Sequence, residues 1–299
     1  MMKVCVLLST YNGEKFLVEQ LESLTAQQGC DVDIWVRDDG SSDNTCQILN
    51  EWQEKGKLKW YSGPNLGYTM SFLELMRTAG DYDYYAFCDQ DDIWLTDKLS
   101  RAVQQLEEID ASIKLYCSNV FFYKDGIVGG GIHKIRPEYD KFTSLVRNIA
   151  PGCSMVFDKS LRDLVNKGNP VRIIAHDFWI FQLAVLFGTV CYDFEPSMLY
   201  RQHVNNQIGQ KTSQLDIWKR RLKSIFSPKM KNRRESQAKE LLRCFGRYMS
   251  DDSRTLVEMV ALYRSTLVSR LRLLFESRIR MNSFFGTLFL KLHIIFSTL

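Results

Sequence analysis

The chain has 299 residues, of which 45% are hydrophobic and 25% are charged, and this composition excludes a disordered, a collagen-like and a disulfide-stapled protein. The charge is uneven, because residues 1–210 carry 20 Lys and Arg against 28 Asp and Glu, whereas residues 211–299 carry 19 against 7. None of the eight cysteines forms a Cys-x-x-Cys pair, which excludes zinc-ribbon and thioredoxin-like motifs and favours buried thiols in a reducing compartment.

In the first hundred residues, short apolar runs that predict strands alternate with helical patterns. Strands are predicted at 4–8, 33–37, 58–61 and 84–88. Helices are predicted at 15–27, from the turn at 38–43 to about 54, at 71–78 and at 97–109. Strands separated by helices of this length predict βαβ units and a mostly parallel sheet, so the predicted fold class is α/β.

The pattern is looser after residue 92. The predicted elements are a strand at 115–123, a turn at 124–126, a flexible loop at 129–131, a strand at 154–157 and a helix at 178–187. From residue 216 onward every pattern is helical. We therefore expect an α/β domain over 1–210, followed by a basic all-α extension over 211–299.

The end of the extension carries an apolar periodicity. Between Leu271 and Phe296, large apolar residues recur at 274, 281, 285, 288, 292 and 295, close to one face of a helix and interspersed with Arg and Lys. No stretch approaches the ~20 apolar residues of a membrane span. Two interpretations remain open: contact of 271–296 with an anionic membrane surface, which we prefer to nucleic acid, or packing within the extension or across a homodimer.

Polar clusters follow three of the predicted strands. They are Ser9–Gly13, Asp38–Ser41 and Asp89–Asp92. Because ligands of open α/β sheets bind outside the carboxyl ends of the strands, we expect the three clusters to line a common cleft.

Several familiar α/β enzymes are excluded by their missing motifs. The sequence contains no G-x-G-x-x-G after the first strand, no G-x-x-x-x-G-K-[ST] and no G-x-S-x-G. With only four histidines, a hydrolase triad also has few candidate members. A Rossmann dehydrogenase, a P-loop NTPase and an α/β-hydrolase are therefore not expected.

The segment Asp89–Asp92 places three carboxylates in four positions directly after an apolar strand. Such close carboxylates repel one another unless a cation compensates them. Hard oxygen ligands suit Mg²⁺ or Mn²⁺, which are commonly shared with substrate phosphates. The alternative is an acidic solvated loop that caps the helix predicted from Asp97.

Six segments together resemble a known family. They are Ser9–Gly13, Arg37–Asp43, Gly63–Gly67, Asp89–Trp94, Ala175–Trp179 and Tyr200–Asn206. Their order and spacing resemble family 2 glycosyltransferases of the GT-A fold, and most of all bacterial rhamnosyltransferases of cell-wall and O-antigen polysaccharide synthesis. The resemblance covers residues 1 to about 210 and does not include the basic extension.

The resemblance implies a nucleotide-sugar-binding part over 1–110 and an acceptor part over 111–210. The implied donor-nucleotide residues are Thr10, Tyr11, Asn12, Asp39, Asn65, Asp89 and Gln90. The implied ligands of Mn²⁺ or Mg²⁺ are Asp91, Asp89 and His203. The residues implied at the diphosphate and the donor sugar are Asp92, Trp94, Arg201 and His203.

On the acceptor side, the resemblance implies Gly152, Cys153, His176 and Trp179, and it assigns the catalytic base to Asp177. Loss of a nucleoside diphosphate creates negative charge that a cation stabilises, and a carboxylate base activates the attacking hydroxyl. Direct displacement inverts the anomeric centre. A helix N-cap is the structural alternative for Asp177, and a packed position is the alternative for His176.

We therefore predict an inverting, metal-dependent hexosyltransferase that moves L-rhamnose from dTDP-L-rhamnose to a lipid-linked saccharide for cell-surface polysaccharide. The expected location is cytoplasmic, at the inner face of the plasma membrane. The alternatives are a UDP-sugar donor, a Mg²⁺-dependent nucleotidyltransferase and an inactive scaffold.

Overall fold

The computed structural model describes residues 2–203, 232–281 and 283–299. The strands are β1 Lys3–Thr10, β2 Asp31–Asp38, β3 Lys59–Ser62, β4 Tyr84–Cys88, β5 Ile93–Trp94, β6 Lys114–Ser118, β7 Phe121–Lys124, β8 Ile127–Gly131, β9 Val156–Asp158, β10 Thr189–Asp193 and β11 Met198–Arg201. The helices are α1 Leu17–Thr25, α2 Thr45–Glu54, α3 Tyr68–Thr78, α4 Lys98–Glu107, α5 Lys141–Ser144, α6 Lys159–Gly168, α7 His176–Phe187, α8 Arg233–Phe245, α9 Asp251–Ala261, α10 Leu267–Phe275 and α11 Phe284–Ile295.

The chain forms two compact units. The first comprises Met1–Arg136, Ala150–Lys167 and Gly188–His203, and the second comprises Pro137–Ile149, Gly168–Phe187 and Val204–Leu299. The predicted boundary at 210/211 lies outside the described residues and stays a prediction.

A seven-stranded sheet forms the core of the first unit, in the order β10-β6-β9-β4-β1-β2-β3. Its strands are parallel except β9, which is antiparallel to both β4 and β6. The strand residues Val4–Leu8 and Tyr84–Cys88 are buried, as expected of central strands covered on both faces. In this sheet the carboxyl ends of β1, β2, β3 and β4 lie at one edge, where the site is built.

A second, four-stranded sheet of the first unit has the order β5-β11-β7-β8. Strand β11 is parallel to β7 and antiparallel to β5, with Leu199 opposite Ile93. This pairing places the residues that follow β11 beside the loop that follows β4. The small sheet therefore determines which side chains join the acidic cluster.

Helices form most of the described second unit. Helix α7 is apolar on all sides, and its residues from Phe178 to Ala184 are buried. The Gln182 amide donates to the Ser144 carbonyl at 2.9 Å and accepts from Gln237 Nε2 at 2.7 Å, which ties α5, α7 and α8 together. Within the described ranges, every helix is too short or too polar to cross a bilayer.

The α/β fold and the mostly parallel sheet are confirmed, and so is the helical nature of the extension over its described residues. Three local predictions are wrong. The strand predicted at 115–123 is two strands in different sheets, the loop predicted at 129–131 is the end of β8, and the periodicity over 271–296 spans two helices separated at 276–283. Asp177 is not an N-cap, because it lies in the first turn of α7.

Candidate active site

Asp38 joins the carboxyl ends of three strands. It lies opposite Thr10 of β1 and Ser62 of β3 in the sheet register. Its buried carboxylate accepts hydrogen bonds from Thr10 Oγ1 at 3.1 Å, Ser62 Oγ at 3.2 Å and Ser41 N at 2.9 Å. Burial raises the pKa of Asp38, but the bond from the Ser41 hydroxyl, together with the three above, outweighs burial and leaves its pKa below the ordinary value. The ionised Asp38 carboxylate is therefore the hub, that is, the group that connects the ends of β1, β2 and β3.

The sequence places Asp38 in one of the polar clusters but gives it no role of its own, and the resemblance assigns Thr10 to the nucleotide pocket. Thr10 is buried, and its hydroxyl is directed to Asp38. An Asp that ends an apolar strand and is followed by Gly40 and Ser41 is a turn signal, because its carboxylate can accept from the backbone N–H groups just ahead. That signal predicts the bonds from Gly40 and Ser41, whereas the bonds from Thr10 and Ser62 depend on the fold.

Asp39 binds the loop that leads into α3. It pairs with the buried Arg37 guanidinium and accepts from Leu66 N and Gly67 N, both at 2.8 Å. Among the described residues these donors use three of the four or so lone-pair positions of a carboxylate. Oδ1 accepts two of these bonds and Oδ2 accepts one. Asn65 accepts from Gly67 N at 3.2 Å and so supports the same loop.

Gln90 fixes the loop that follows β1. Its amide accepts from Tyr11 N at 2.8 Å and donates to Tyr11 O at 3.1 Å, while the Tyr11 ring is about half exposed. Asn12 has a left-handed backbone and its Oδ1 accepts from Ser42 N at 2.8 Å. The ends of β1, β2 and β4 are thus cross-linked, and the polar clusters do form one edge, as the sequence predicts.

Gly13 is required where Gln90 passes over the β1 loop. A Cβ at residue 13 would lie 2.3 Å from Gln90 Oε1. Gly13→Ala should displace the end of the Gln90 side chain from its two exposed bonds with Tyr11, and we expect the free energy of unfolding to fall by about 0.5–1.5 kcal/mol in urea denaturation. Gly130→Ala is the control, because no atom lies within 4 Å of a Cβ there. Equal stabilities of the two variants would contradict this account.

The acidic loop and the end of β11 form one cluster. His203 Nε2 lies 2.5 Å from Asp91 Oδ2, and Arg201 Nε donates to the Asp91 carbonyl at 2.7 Å. Arg201 N donates to Asp92 Oδ1 at 3.1 Å. The structure therefore brings together Asp91, Asp92, Arg201 and His203, which are about 110 positions apart in the chain.

The aromatic rings of Phe16 and Tyr123 pack against Arg201 and His203 of this cluster. The Arg201 guanidinium lies 4.6 Å from the centre of the Phe16 ring and 4.9 Å from that of Tyr123, and it pairs with Glu19. The His203 ring stacks on Phe16 with centroids 5.5 Å apart. Phe16, Glu19 and Tyr123 were not recognised in the sequence, because only the fold places them beside β11.

Beneath the acidic loop lies a buried group of polar residues. The ligand atoms of Asp89, Asp92 and Cys153 lie within 4.8 Å of one another. Burial raises the pKa of Asp92 well above its ordinary value, and the Asp91 and Asp89 carboxylates raise it further. The Lys98 ammonium lies 4.6 Å from the centre of the Trp94 ring, and burial lowers its pKa to about 8. Asp92 and Trp94, predicted at the diphosphate and sugar, are both buried.

The donor atoms at this loop fit a hard divalent cation. Burial raises the pKa of the Cys153 thiol well above its ordinary value, so the thiol is protonated and a poor ligand. Oδ2 of Asp92 is buried, with no N–H or O–H donor among the described residues. Carboxylates with an imidazole suit Mn²⁺ or Mg²⁺ better than a soft metal. Of the predicted ligands, Asp89 lies with Asp92 in the buried group, whereas Asp91 contacts His203.

The acceptor-side residues lie in both units. Gly152 and Cys153 are buried in the first unit, in a 3-10 turn before β9. Asp177, His176 and Trp179 belong to the second unit, where Asn148 Nδ2 donates to Asp177 Oδ2 at 3.0 Å and Asp177 Oδ1 accepts from Phe178 N at 2.7 Å. Asp177 is half-buried, whereas Trp179 is fully buried against Phe245.

His176 is buried, which supports the packed interpretation, and burial lowers its pKa to about 3. The unfolded chain binds a proton near pH 6.5, whereas the folded protein does not until about pH 3, so stability is present above pH 6.5 and is lost as the pH falls. We expect His176 to contribute up to about 1.4 kcal/mol of lost stability per pH unit. Urea denaturation between pH 7 and 5 should show a shallower slope for His176→Asn. Parallel slopes would rule out a buried neutral imidazole.

Comparison with known sequences gives the following similarities. The family model described as "Glycosyl transferase family 2" matches residues 5–178. The dTDP-rhamnosyl transferase RfbG of Shigella flexneri is 33% identical over 223 residues, which are 69% of this chain and 75% of that protein. The UDP-Glc:alpha-D-GlcNAc-diphosphoundecaprenol beta-1,3-glucosyltransferase WfgD of Escherichia coli is 26% identical over 53% of this chain and 61% of that protein.

Comparison with solved structures shows the same fold. TarS of S. aureus, solved with UDP-GlcNAc, aligns with a TM-score of 0.57 at 18% identity over 93% of this chain and 85% of that one. The mannosyltransferase PcManGT of Pyrobaculum calidifontis, solved with GDP-Man and Mn²⁺, aligns with a TM-score of 0.53 at 13% identity over 98% of this chain and 85% of that one. The arrangement of strands and helices is therefore that of these sugar transferases.

Proposed function

Because the chain belongs to glycosyltransferase family 2, we propose that it transfers L-rhamnose from dTDP-L-rhamnose to a lipid-linked saccharide, with inversion and with a divalent cation. Membership of this family is the evidence that the protein is a hexosyltransferase. The similarity to RfbG over three quarters of that protein supports dTDP-rhamnose as donor. The similarity to WfgD, whose acceptor is a diphosphoundecaprenol, supports a lipid-linked acceptor.

The observation that carries the proposal is the cluster of Asp91, Arg201 and His203 at the end of β4. The Asp91 carboxylate in contact with the His203 imidazole, with the Arg201 guanidinium bonded to the Asp91 carbonyl, is suited to a cation and to the phosphates that it binds. Bound there by Asp89, Asp91 and His203, a divalent cation would stabilise the negative charge on the departing nucleoside diphosphate. Arg201 would supply a fixed positive charge to the same phosphates.

The nucleotide base would lie at the ends of β1 and β2. The half-exposed Tyr11 ring offers a stacking surface, and Asp39 keeps one acceptor position for a ring N–H. Both thymine and uracil present such an N–H, so these residues support either base. A UDP-sugar is therefore the second donor that the geometry permits.

Asp177 would act as the general base. Its carboxylate is held by the Asn148 amide and by Phe178 N. Two hydrogen bonds fix its orientation while part of the side chain stays accessible, as removal of a proton from an acceptor hydroxyl requires. Attack by that hydroxyl on the anomeric carbon, opposite the leaving diphosphate, inverts its configuration.

Product analysis tests the proposal. The purified protein is incubated with Mn²⁺, a GlcNAc-diphospho-lipid and either dTDP-L-rhamnose or UDP-glucose, and the product is analysed by mass and by NMR of the anomeric centre. We expect a rhamnosylated lipid of inverted configuration and release of dTDP. A product only from UDP-glucose would overturn the rhamnose assignment, and pyrophosphate release from a nucleoside triphosphate would instead indicate a nucleotidyltransferase.

A further inference from the structure

Two packed helices of the second unit, α10 and α11, expose large apolar side chains to solvent. The exposed fractions are 76% for Val268, 76% for Phe275 and 78% for Phe284. Leu267, Leu271, Leu288 and Ile295 on the same helices are also exposed. Single exposed apolar residues are common on soluble proteins, but a concentration of this size on neighbouring helices indicates a contact surface.

Helix α11 does not need its exposed side chains for folding. Its Phe289, Leu290 and Ile294 are buried and pack into the second unit. Phe284, Leu288 and Ile295 recur on the outward side and remain exposed. A helix stabilised by one buried apolar face normally has polar residues on the opposite face. The second apolar face of α11 therefore indicates contact with another surface.

The charged residues of these helices and their connections are mostly basic. Residues 262–299 contain six Lys and Arg and a single acid, Glu276. Arg278 pairs with Glu276, whereas the exposed Arg272 and the half-buried Lys291 lie on the helices themselves, and Arg280, also exposed, lies between them. Arg280 lies 3.9 Å from the exposed Glu138, so Arg278 and Arg280 both face acids, whereas Arg272 and Lys291 keep the surface around the apolar residues cationic.

We propose that the exposed face of α10 and α11 binds the surface of a bilayer that contains anionic lipids. Apolar side chains enter the boundary between headgroups and acyl chains, and the neighbouring cations bind acidic headgroups. A second copy of the chain fits less well, because a two-fold contact places this cationic surface against itself. The inference does not depend on the identity of the donor sugar.

Vesicle flotation of the full chain tests this surface. One sample contains phosphatidylcholine vesicles and the other contains vesicles with about 30% phosphatidylglycerol, each at low and high salt. We expect binding to the anionic vesicles alone, weakened at high salt because surface charges are then screened. The triple variant Val268→Ser, Phe275→Ser, Phe284→Ser should bind at least about tenfold less, since apolar insertion is lost while the headgroup attraction remains.

Controls distinguish the loss of this binding surface from a general destabilisation of the protein. Ile127→Ser, Ile135→Ser removes two exposed apolar side chains of the first unit and should leave flotation unchanged. Both variants should keep the melting temperature of the native protein and its titration with nucleoside diphosphate. The proposal is overturned if the native protein does not bind anionic vesicles, if the triple variant binds them equally, or if the triple variant abolishes a dimer without changing flotation.

Discussion

Asp177→Asn should lower kcat for sugar transfer by about 10²–10⁴-fold and leave donor binding unchanged. The amide keeps the size of the side chain, and its single oxygen can still accept from one of the two donors, Asn148 Nδ2 or Phe178 N. It cannot take the proton of the acceptor hydroxyl at neutral pH. Steady-state kinetics at saturating donor and acceptor, together with calorimetric titration of dTDP, measure the two effects separately.

Asp252→Asn is the matched control for this variant. Asp252 is also the second residue of a helix in the second unit, but its side chain is largely exposed. The control should retain the native kcat. If Asp177→Asn transferred sugar at the native rate, or lost donor binding together with activity, a catalytic-base role for Asp177 would be refuted.

Asp91→Asn should abolish the difference between nucleoside diphosphate affinity in Mn²⁺ and in EDTA, and should lower kcat by about 10²-fold or more. The substitution replaces a carboxylate oxygen of the proposed metal site with an amide and changes the contact with His203. A bound cation supplies several kcal/mol of stabilisation to developing charge, and each ~1.4 kcal/mol corresponds to tenfold in rate. Titration of dTDP with and without Mn²⁺, followed by a transfer assay, measures both effects.

Asp125→Asn is the corresponding control on an exposed turn. Asp125 has a left-handed backbone that Asn adopts readily, so the fold should be unaffected. Retention of Mn²⁺-dependent dTDP binding in Asp91→Asn would assign the metal to other residues. Loss of binding in both variants would point to instability and would remove the support that this pair gives to the metal site.

The central strands were predictable because a continuous apolar run is by itself a signal for a strand that is buried on both faces. Val4–Leu8 and Tyr84–Cys88 are continuous apolar runs, and both are buried on two faces as such runs require. Strands β5, β10 and β11 were missed, since they have two to five residues and depend on distant partners for pairing. Short strands of this kind carry little local signal.

The region 115–123 shows how one side chain redirects the chain. Asn119 Oδ1 accepts from Val120 N at 3.1 Å and from His133 N at 3.0 Å, and its Nδ2 donates to the His133 carbonyl at 2.9 Å. These bonds separate β6 of the large sheet from β7 of the small sheet. Because the contact with His133 is formed only in the folded chain, the sequence of 115–123 shows its β propensity but not the break at Asn119. The sequence therefore predicted a single strand.

The candidate site was predictable in its position and only partly in its members. Parallel strands bring their carboxyl ends to one edge, so the clusters after β1, β2 and β4 were expected to meet. The contact between Asp91 and His203 depends instead on the pairing of β11 with β5. The resemblance supplied His203, whereas Phe16 and Glu19 required the structure. The roles assigned to these residues stay proposals, as does a location at the inner face of the plasma membrane.

The central claim is that the end of β4 binds a nucleoside diphosphate through a divalent cation. Calorimetric titration of dTDP, UDP and GDP into the native protein, each with Mn²⁺ and again with EDTA, tests it most directly. We predict binding that requires Mn²⁺ and is tightest for dTDP, and a preference for UDP would change only the donor. Absence of binding by all three nucleotides in Mn²⁺, or equal binding in EDTA, would contradict the claim.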